Sequence, residues 1–208
     1  MRLKVCGMRD PENIRQLLAL KPDYMGFIFY EKSPRHVGEE LDAELLQSFP
    51  ATTEKVGVFV NASIEYLKAQ VRKYGLDLVQ LHGDESVDYV AELYAIGIRV
   101  MKVFSVGESF DFKMLRKYNP FVDFFLFDTK GKARGGIGKA FDWSLLKGYD
   151  QEVPFFLSGG LDLNNIIELG ELDGLPIHAL DVNSRFELEP GLKDIGQVEK
   201  LVDIMNKG

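Results

Sequence analysis

The chain has 208 residues, 46% of them apolar and 27% charged, which is too hydrophobic for disorder and ordinary for a soluble globular fold. Its one cysteine excludes an intramolecular disulfide, and with only three histidines a cysteine-rich zinc module is excluded as well. The net charge of −7 argues against a nucleic-acid partner. No apolar run reaches the length of a membrane span, and Met1-Arg2-Leu3-Lys4 does not read as a secretory signal, so the expected compartment is the reducing cytoplasm.

Short β-branched and aromatic runs alternate with helical patterns along the chain. A strand over Leu3–Gly7 precedes a helix over Pro11–Leu20, and Tyr24–Tyr30 precedes Asp42–Phe49. Lys55–Val60 is followed by Ile64–Tyr74, and Leu78–Gly83 by Val87–Ile96. Arg99–Val106 is followed by Phe110–Tyr118, and Phe124–Thr129 by Trp143–Tyr149. The last two units are Phe155–Gly160 with Leu163–Leu172 and Ala179–Ser184 with Ile195–Met205. Helix punctuation agrees: Asp10-Pro11-Glu12 supplies an N-cap, a proline and a first-turn acid, and Ser63, Asp142 and Asp162 read as further N-caps.

Strands alternating with helices imply a parallel sheet covered by helices. Eight units leave about 26 residues each, close to the minimum for a strand, a crossover helix and two loops. A closed eight-stranded barrel and an open doubly wound sheet both suit this count. The dinucleotide domain of the second kind carries Gly-x-Gly-x-x-Gly after an early strand, and Val5-Cys6-Gly7-Met8-Arg9 lacks it. The expected fold is α/β, a single small (β/α)8 TIM barrel over residues 1–208.

Chemistry in such barrels collects where strands end. Here strand ends carry Cys6-Gly7, His82-Gly83-Asp84, Asp128-Thr129, Ser158-Gly159-Gly160 and Asp181-Val182-Asn183-Ser184, and the second unit's loop carries Ser33-Pro34-Arg35. Gly159-Gly160 and Asn183-Ser184 close the seventh and eighth strands, the usual phosphate position, although glycines also serve tight turns. Strand periodicity puts Lys4 and Cys6 on one face, and Leu126 and Asp128 on one face. A carboxylate ending an apolar strand is either paired or chemically active. A lone cysteine is more often a small buried hydrophobe than a catalyst, and a reactive thiolate here needs a lowered pKa, for which Lys4 or a helix N-terminus is the candidate source. Arg35 suits bidentate carboxylate recognition or simple solvation, and His82 reads as a structural histidine.

The chain resembles the phosphoribosylanthranilate isomerase family of tryptophan biosynthesis. The resemblance rests on Lys4-Val5-Cys6-Gly7-Met8, Gly26–Tyr30 with Ser33-Pro34-Arg35, Val56–Asn61 and Val79–Gly83. It continues through Asp128, Gly135–Trp143, Leu157–Leu161 and Asp181–Ser184, to Glu187, Pro190-Gly191 and Lys193-Asp194. It implies an Amadori rearrangement of an aminoaldose phosphate to an aminoketose phosphate, with Cys6 as general base and Asp128 as general acid. Arg35 then addresses the anthranilate end, while Gly159, Gly160, Asn183 and Ser184 hold the phosphate and Asp181 joins them in binding substrate. Neither a metal nor another cofactor is implied, the partner is a small phosphorylated molecule, and the chain is a monomer or homodimer. Arg35, Lys4 and Arg185 are the candidates for the positive patch that an acidic chain needs, and the loop Lys130–Lys139 is expected to fold over the substrate. Where the family usually reads glycine after the strand-8 Ser-Ser, this chain has Arg185; either Arg185 is strained at positive φ or the turn is rebuilt. The competing readings are an indole-glycerol-phosphate synthase or sugar-phosphate epimerase type of barrel, and an inactive metabolite-binding barrel.

Overall fold

The computed structural model describes residues 1–38, 41–129, 143–150, 152–166 and 174–207. Eight parallel strands close into a barrel in chain order: β1 (Arg2–Val5), β2 (Tyr24–Ile28), β3 (Glu54–Phe59), β4 (Leu78–Leu81), β5 (Val100–Val106), β6 (Phe124–Thr129), β7 (Phe155–Ser158) and β8 (Ile177–Val182). Closure is made by β8 against β1, which sets Lys4 opposite Asp181 and Val5 opposite Val182.

Successive side chains of a strand point to opposite faces, so each strand serves two cores. One set, with Tyr24, Val56, Leu78, Met101, Leu126 and Phe156, packs together in the barrel interior. The alternate set, with Val5, Met25, Phe27, Val79, Phe125, Phe127 and Leu180, packs under the helices. Strands buried on both faces read as near-continuous apolar runs, which is why Phe124-Phe125-Leu126-Phe127 shows no alternation.

The covering helices are α1 (Pro11–Ala19), α2 (Ala43–Gln47), α3 (Ile64–Tyr74), α4 (Val87–Ala95) and α5 (Ile195–Lys207). Side chains cap them as the sequence suggests: Asp10 accepts from the Asn13 N–H at 2.7 Å, and Ser63 from that of Tyr66 at 3.2 Å. Asp162 accepts from the N–H groups of Asn164 and Asn165. The expected cap at Asp142, the loop Lys130–Lys139 and the end of the helix over Leu163–Leu172 lie outside the described residues.

Two expected α-helices are wound more tightly. Phe112–Lys117 and Trp143–Gly148 are 3₁₀ segments of six residues each. After the first of these, Pro120 lacks an N–H and restricts Asn119, so α-helical bonding cannot run on past Tyr118. A small antiparallel hairpin, β9 (Glu187–Glu189) with β10 (Leu192–Lys193), follows β8 and was not expected. Among the described residues no helix is long and apolar enough to cross a membrane.

Candidate active site

A cavity of about 710 Å³, counting its open mouth, lies at the C-terminal ends of the strands. Cys6 and Asp181 reach it from neighbouring strand ends, His82 and Asp128 from β4 and β6, and Gly159, Gly160, Asn183, Ser184 and Arg185 from the loops after β7 and β8. Seven of the eight residues singled out in the sequence thus line one cavity. The eighth, Arg35, is not among the lining residues; its stem lies against Gly7, directly after Cys6, and its guanidinium is bound to Glu187.

The Cys6 thiol is nearly enclosed, at 4% exposure. Burial pushes it above the ordinary cysteine value; the Lys4 ammonium opposes this and the Asp181 charge adds to it. The expected lowering by Lys4 is therefore present but outweighed, because the site has little water to solvate a thiolate. Lys4 itself is fully buried, and its Nζ donates to Asp181 Oδ1 at 2.8 Å. Burial pulls Lys4 down, but the charges of Asp181 and Cys6 outweigh it and hold the ammonium above the ordinary lysine value. Cys6, Lys4 and Asp181 form one buried, electrostatically coupled group.

His82, read from the sequence as a structural histidine, opens on the cavity, with its Nε2 3.9 Å from Asp128 Oδ2. Burial depresses the imidazole pKa, against the pull of Asp128 and Asp181. The Gln80 side-chain amide lies within hydrogen-bond distance of His82, with its Nε2 3.2 Å from Nδ1. Gln80 Oε1 is buried without a hydrogen-bond partner among the described residues, at the cavity wall. No sequence motif separates such a histidine from a structural one; its place two residues past Gln80 on the inward face was the available signal.

Gly159 and Gly160 adopt φ of 97° and 67°, a left-handed pair that only glycine takes without strain. This turns their backbone toward the cavity beside Ser158. On the other side Ser184–Phe186 forms a 3₁₀ turn directly after Asn183. Arg185 sits in that turn and is not among the residues with positive φ, so the turn is rebuilt and Arg185 is unstrained.

A sequence model of the family described as N-(5'-phosphoribosyl)anthranilate (PRA) isomerase matches residues 3–204. The chain belongs to this family. It is an isomerase of tryptophan biosynthesis. The N-(5'-phosphoribosyl)anthranilate isomerase of Parabacteroides distasonis is 43% identical over 203 residues, covering 97% of this chain and 92% of the relative. The phosphoribosyl anthranilate isomerase of Thermotoga maritima superposes with a TM-score of 0.87 at 32% identity, over the whole of both chains. A solved phosphoribosyl anthranilate isomerase in complex with reduced 1-(o-carboxyphenylamino)-1-deoxyribulose 5-phosphate gives 0.85 at 30% identity, again over the whole of both.

Proposed function

We propose that Cys6 and Asp128 carry the proton transfers by which this isomerase converts N-(5'-phosphoribosyl)anthranilate into 1-(2-carboxyphenylamino)-1-deoxyribulose 5-phosphate. The observation that carries the reading is that a buried thiol and a carboxyl group line one cavity whose rim is a left-handed glycine pair. Asp128 in its acid form protonates the furanose ring oxygen. The C1′–O bond breaks as the nitrogen lone pair forms the C1′=N bond of a Schiff base. Cys6 as thiolate then takes the C2′ proton, and the electron pair left behind gives the neutral enolamine. Its tautomerisation places a proton on C1′ and leaves the ketone at C2′. Each such transfer contributes about 10²–10⁴-fold.

Lys4 sustains the base, since the charge of its buried ammonium favours the thiolate that burial disfavours. Gly159, Gly160, Asn183 and Ser184 receive the phosphate, with Arg185 adding charge from the same wall and Asp181 orienting the sugar through its place in the cavity. Gln80 Oε1 offers an acceptor to a sugar hydroxyl. Arg35 addresses the anthranilate carboxylate, so the substrate is fixed at both ends with its reacting carbons between. The lone thiol, kept reduced, suits the cytoplasm. The test is turnover of Cys6→Ala and Asp128→Asn, followed by the loss of substrate fluorescence. Each variant is expected to lose at least about 10²-fold while keeping its melting cooperative; near-normal rates in both would refute the assignment.

A further inference from the structure

We infer that Glu187 is a specificity-determining positioning residue, which turns the Arg35 guanidinium so that one edge is bound inside the protein and the other is presented to the substrate's aromatic carboxylate. This rests on the reading of Arg35 just given.

The Arg35–Glu187 contact is side-on. Arg35 Nε donates to both carboxylate oxygens at 2.9 Å, and Nη2 donates to Oε2 at 2.6 Å. A guanidinium has five N–H groups in one plane. This contact engages the Nε edge and leaves the end formed by Nη1 and the second Nη2 hydrogen, which is the geometry for a parallel pair of bonds to another carboxylate. Among the described residues no protein acceptor is bonded to Nη1. Without Glu187 the guanidinium could rotate and offer any of its edges.

Glu187 is itself immobilised. Its side chain is 4% exposed, its Oε1 also accepts from Lys193 Nζ, and the Gly191 N–H donates to the same oxygen at 3.1 Å. Lys193 is fully buried, and its Nζ donates as well to Asn183 Oδ1 at 2.8 Å, tying the loop after β8 into the same group. The Lys193 backbone is clamped by Asn13 of α1, which donates to its carbonyl at 3.0 Å and accepts from its N–H at 2.7 Å. Gly7 completes the frame: a Cβ there would lie 2.9 Å from both Arg35 Cδ and Asn183 Oδ1, so only glycine lets these two side chains close over it.

Simple ion pairing does not account for the arrangement. Glu187 alone neutralises Lys193. Sharing one carboxylate between Lys193 and Arg35 leaves a surplus positive charge on a partly buried, fixed group in a chain of net charge −7. A cation so held suits an anionic ligand. Burial alone would raise the Glu187 carboxyl, but hydrogen bonds from Arg35 and Lys193 hold it below the ordinary value, so it stays charged in this role at neutral pH.

The experiment compares N-(5'-phosphoribosyl)anthranilate with N-(5'-phosphoribosyl)aniline, which lacks the carboxylate, on wild type, Arg35→Met, Glu187→Gln and Glu187→Asp. Removing the Glu187 charge makes the site more positive, so Coulomb attraction alone predicts tighter use of the anthranilate. Positioning predicts the opposite sign. The expected result for Glu187→Gln is a loss of about 10- to 100-fold in kcat/KM on the carboxylate substrate, chiefly in KM, with little change on the aniline. Glu187→Asp keeps the charge that Lys193 needs for folding but is one methylene too short for the side-on contact, and is expected to shift in the same direction. If both Glu187 variants keep the wild-type preference while Arg35→Met abolishes it, or if they lower both substrates equally, the inference is overturned and the role of Arg35 stands. If Arg35→Met keeps the preference, the role of Arg35 itself fails.

Discussion

Gly26 on β2 faces Cys6 across the strand pair. A Cβ at this position would lie 2.6 Å from Cys6 Sγ and 3.1 Å from Cys6 Cα. Its φ is not among the positive values, so Gly26→Ala is allowed in φ and acts through the contacts of the added methyl with the Cys6 sulfur and backbone. Ordinary contact there is 3.4–4 Å, so the sulfur must retreat by about 1 Å or leave its rotamer. A displacement of about 1 Å at a reacting atom costs on the order of 10²-fold in rate. Overpacking at one methyl costs about 1–3 kcal/mol, which for a chain of this size lowers Tm by about 2–12 °C. Gly26→Ala is therefore expected to fold, to melt cooperatively a few degrees lower, and to lose about 10²-fold in kcat with a smaller change in KM. The assay is fluorescence turnover at several substrate concentrations, beside a thermal melt on the same sample. A variant with kcat within about threefold of wild type would show that the thiol's position is not critical, and with it that Cys6 is not the base.

Three further outcomes follow from the charges. Because burial raises the Cys6 thiol, the acid limb of the kcat/KM profile should lie above the ordinary thiol pKa of about 8.5 and move higher still in Lys4→Met; a limb below about pH 8 in wild type would contradict this. Lys4→Met strands the Asp181 carboxylate in the interior, an expected loss of about 3–5 kcal/mol in urea unfolding. Adding Asp181→Asn should restore much of it, and additive losses from the two changes would refute the pairing. His178 is held to about 4 by burial, with Arg2 reinforcing the shift. The fold thus favours the neutral ring, a contribution complete above about pH 6.5 and lost as pH falls toward the folded value; a proton-NMR titration showing an ordinary midpoint for His178 would refute it.

The barrel is legible in the sequence because each apolar run is short, bounded by turn residues and followed by a capped amphipathic stretch. Period-2 geometry then fixes which residues share a face, and the structure keeps Lys4 with Cys6 and Leu126 with Asp128 on the inward faces. What the sequence hides is what closure brings together. Lys4 and Asp181 lie 177 residues apart and meet only because β8 returns to β1. Arg35 meets Glu187 across 152 residues. Residue type alone suggested that a lysine two positions from a cysteine lowers the thiol, but the sign depends on desolvation, a property of the packed site. The hairpin β9–β10 was missed because its strands are three and two residues long, too short for any periodicity, and it is held by Asn13 and Glu187 rather than by a core of its own.

An acidic chain that accepts a phosphate and a carboxylate must place its positive charge locally. Burying lysines does not by itself do so. Lys4, Lys102 and Lys193 are all buried, and each is bound to an acid: Asp181, Glu85 at 2.9 Å, and Glu187. Pairs of this kind are nearly neutral seen from a distance, and their desolvation cost cancels most of their attraction, so they contribute position more than field or stability. The remaining attraction belongs to groups without a full counter-charge: Arg35, whose one carboxylate is shared with Lys193, and Arg185 on the cavity wall. Surface acids beyond about 8 Å are largely screened at physiological salt. The net charge therefore bears on how an anionic substrate approaches, while fixed groups of this kind are the ones able to hold it in place.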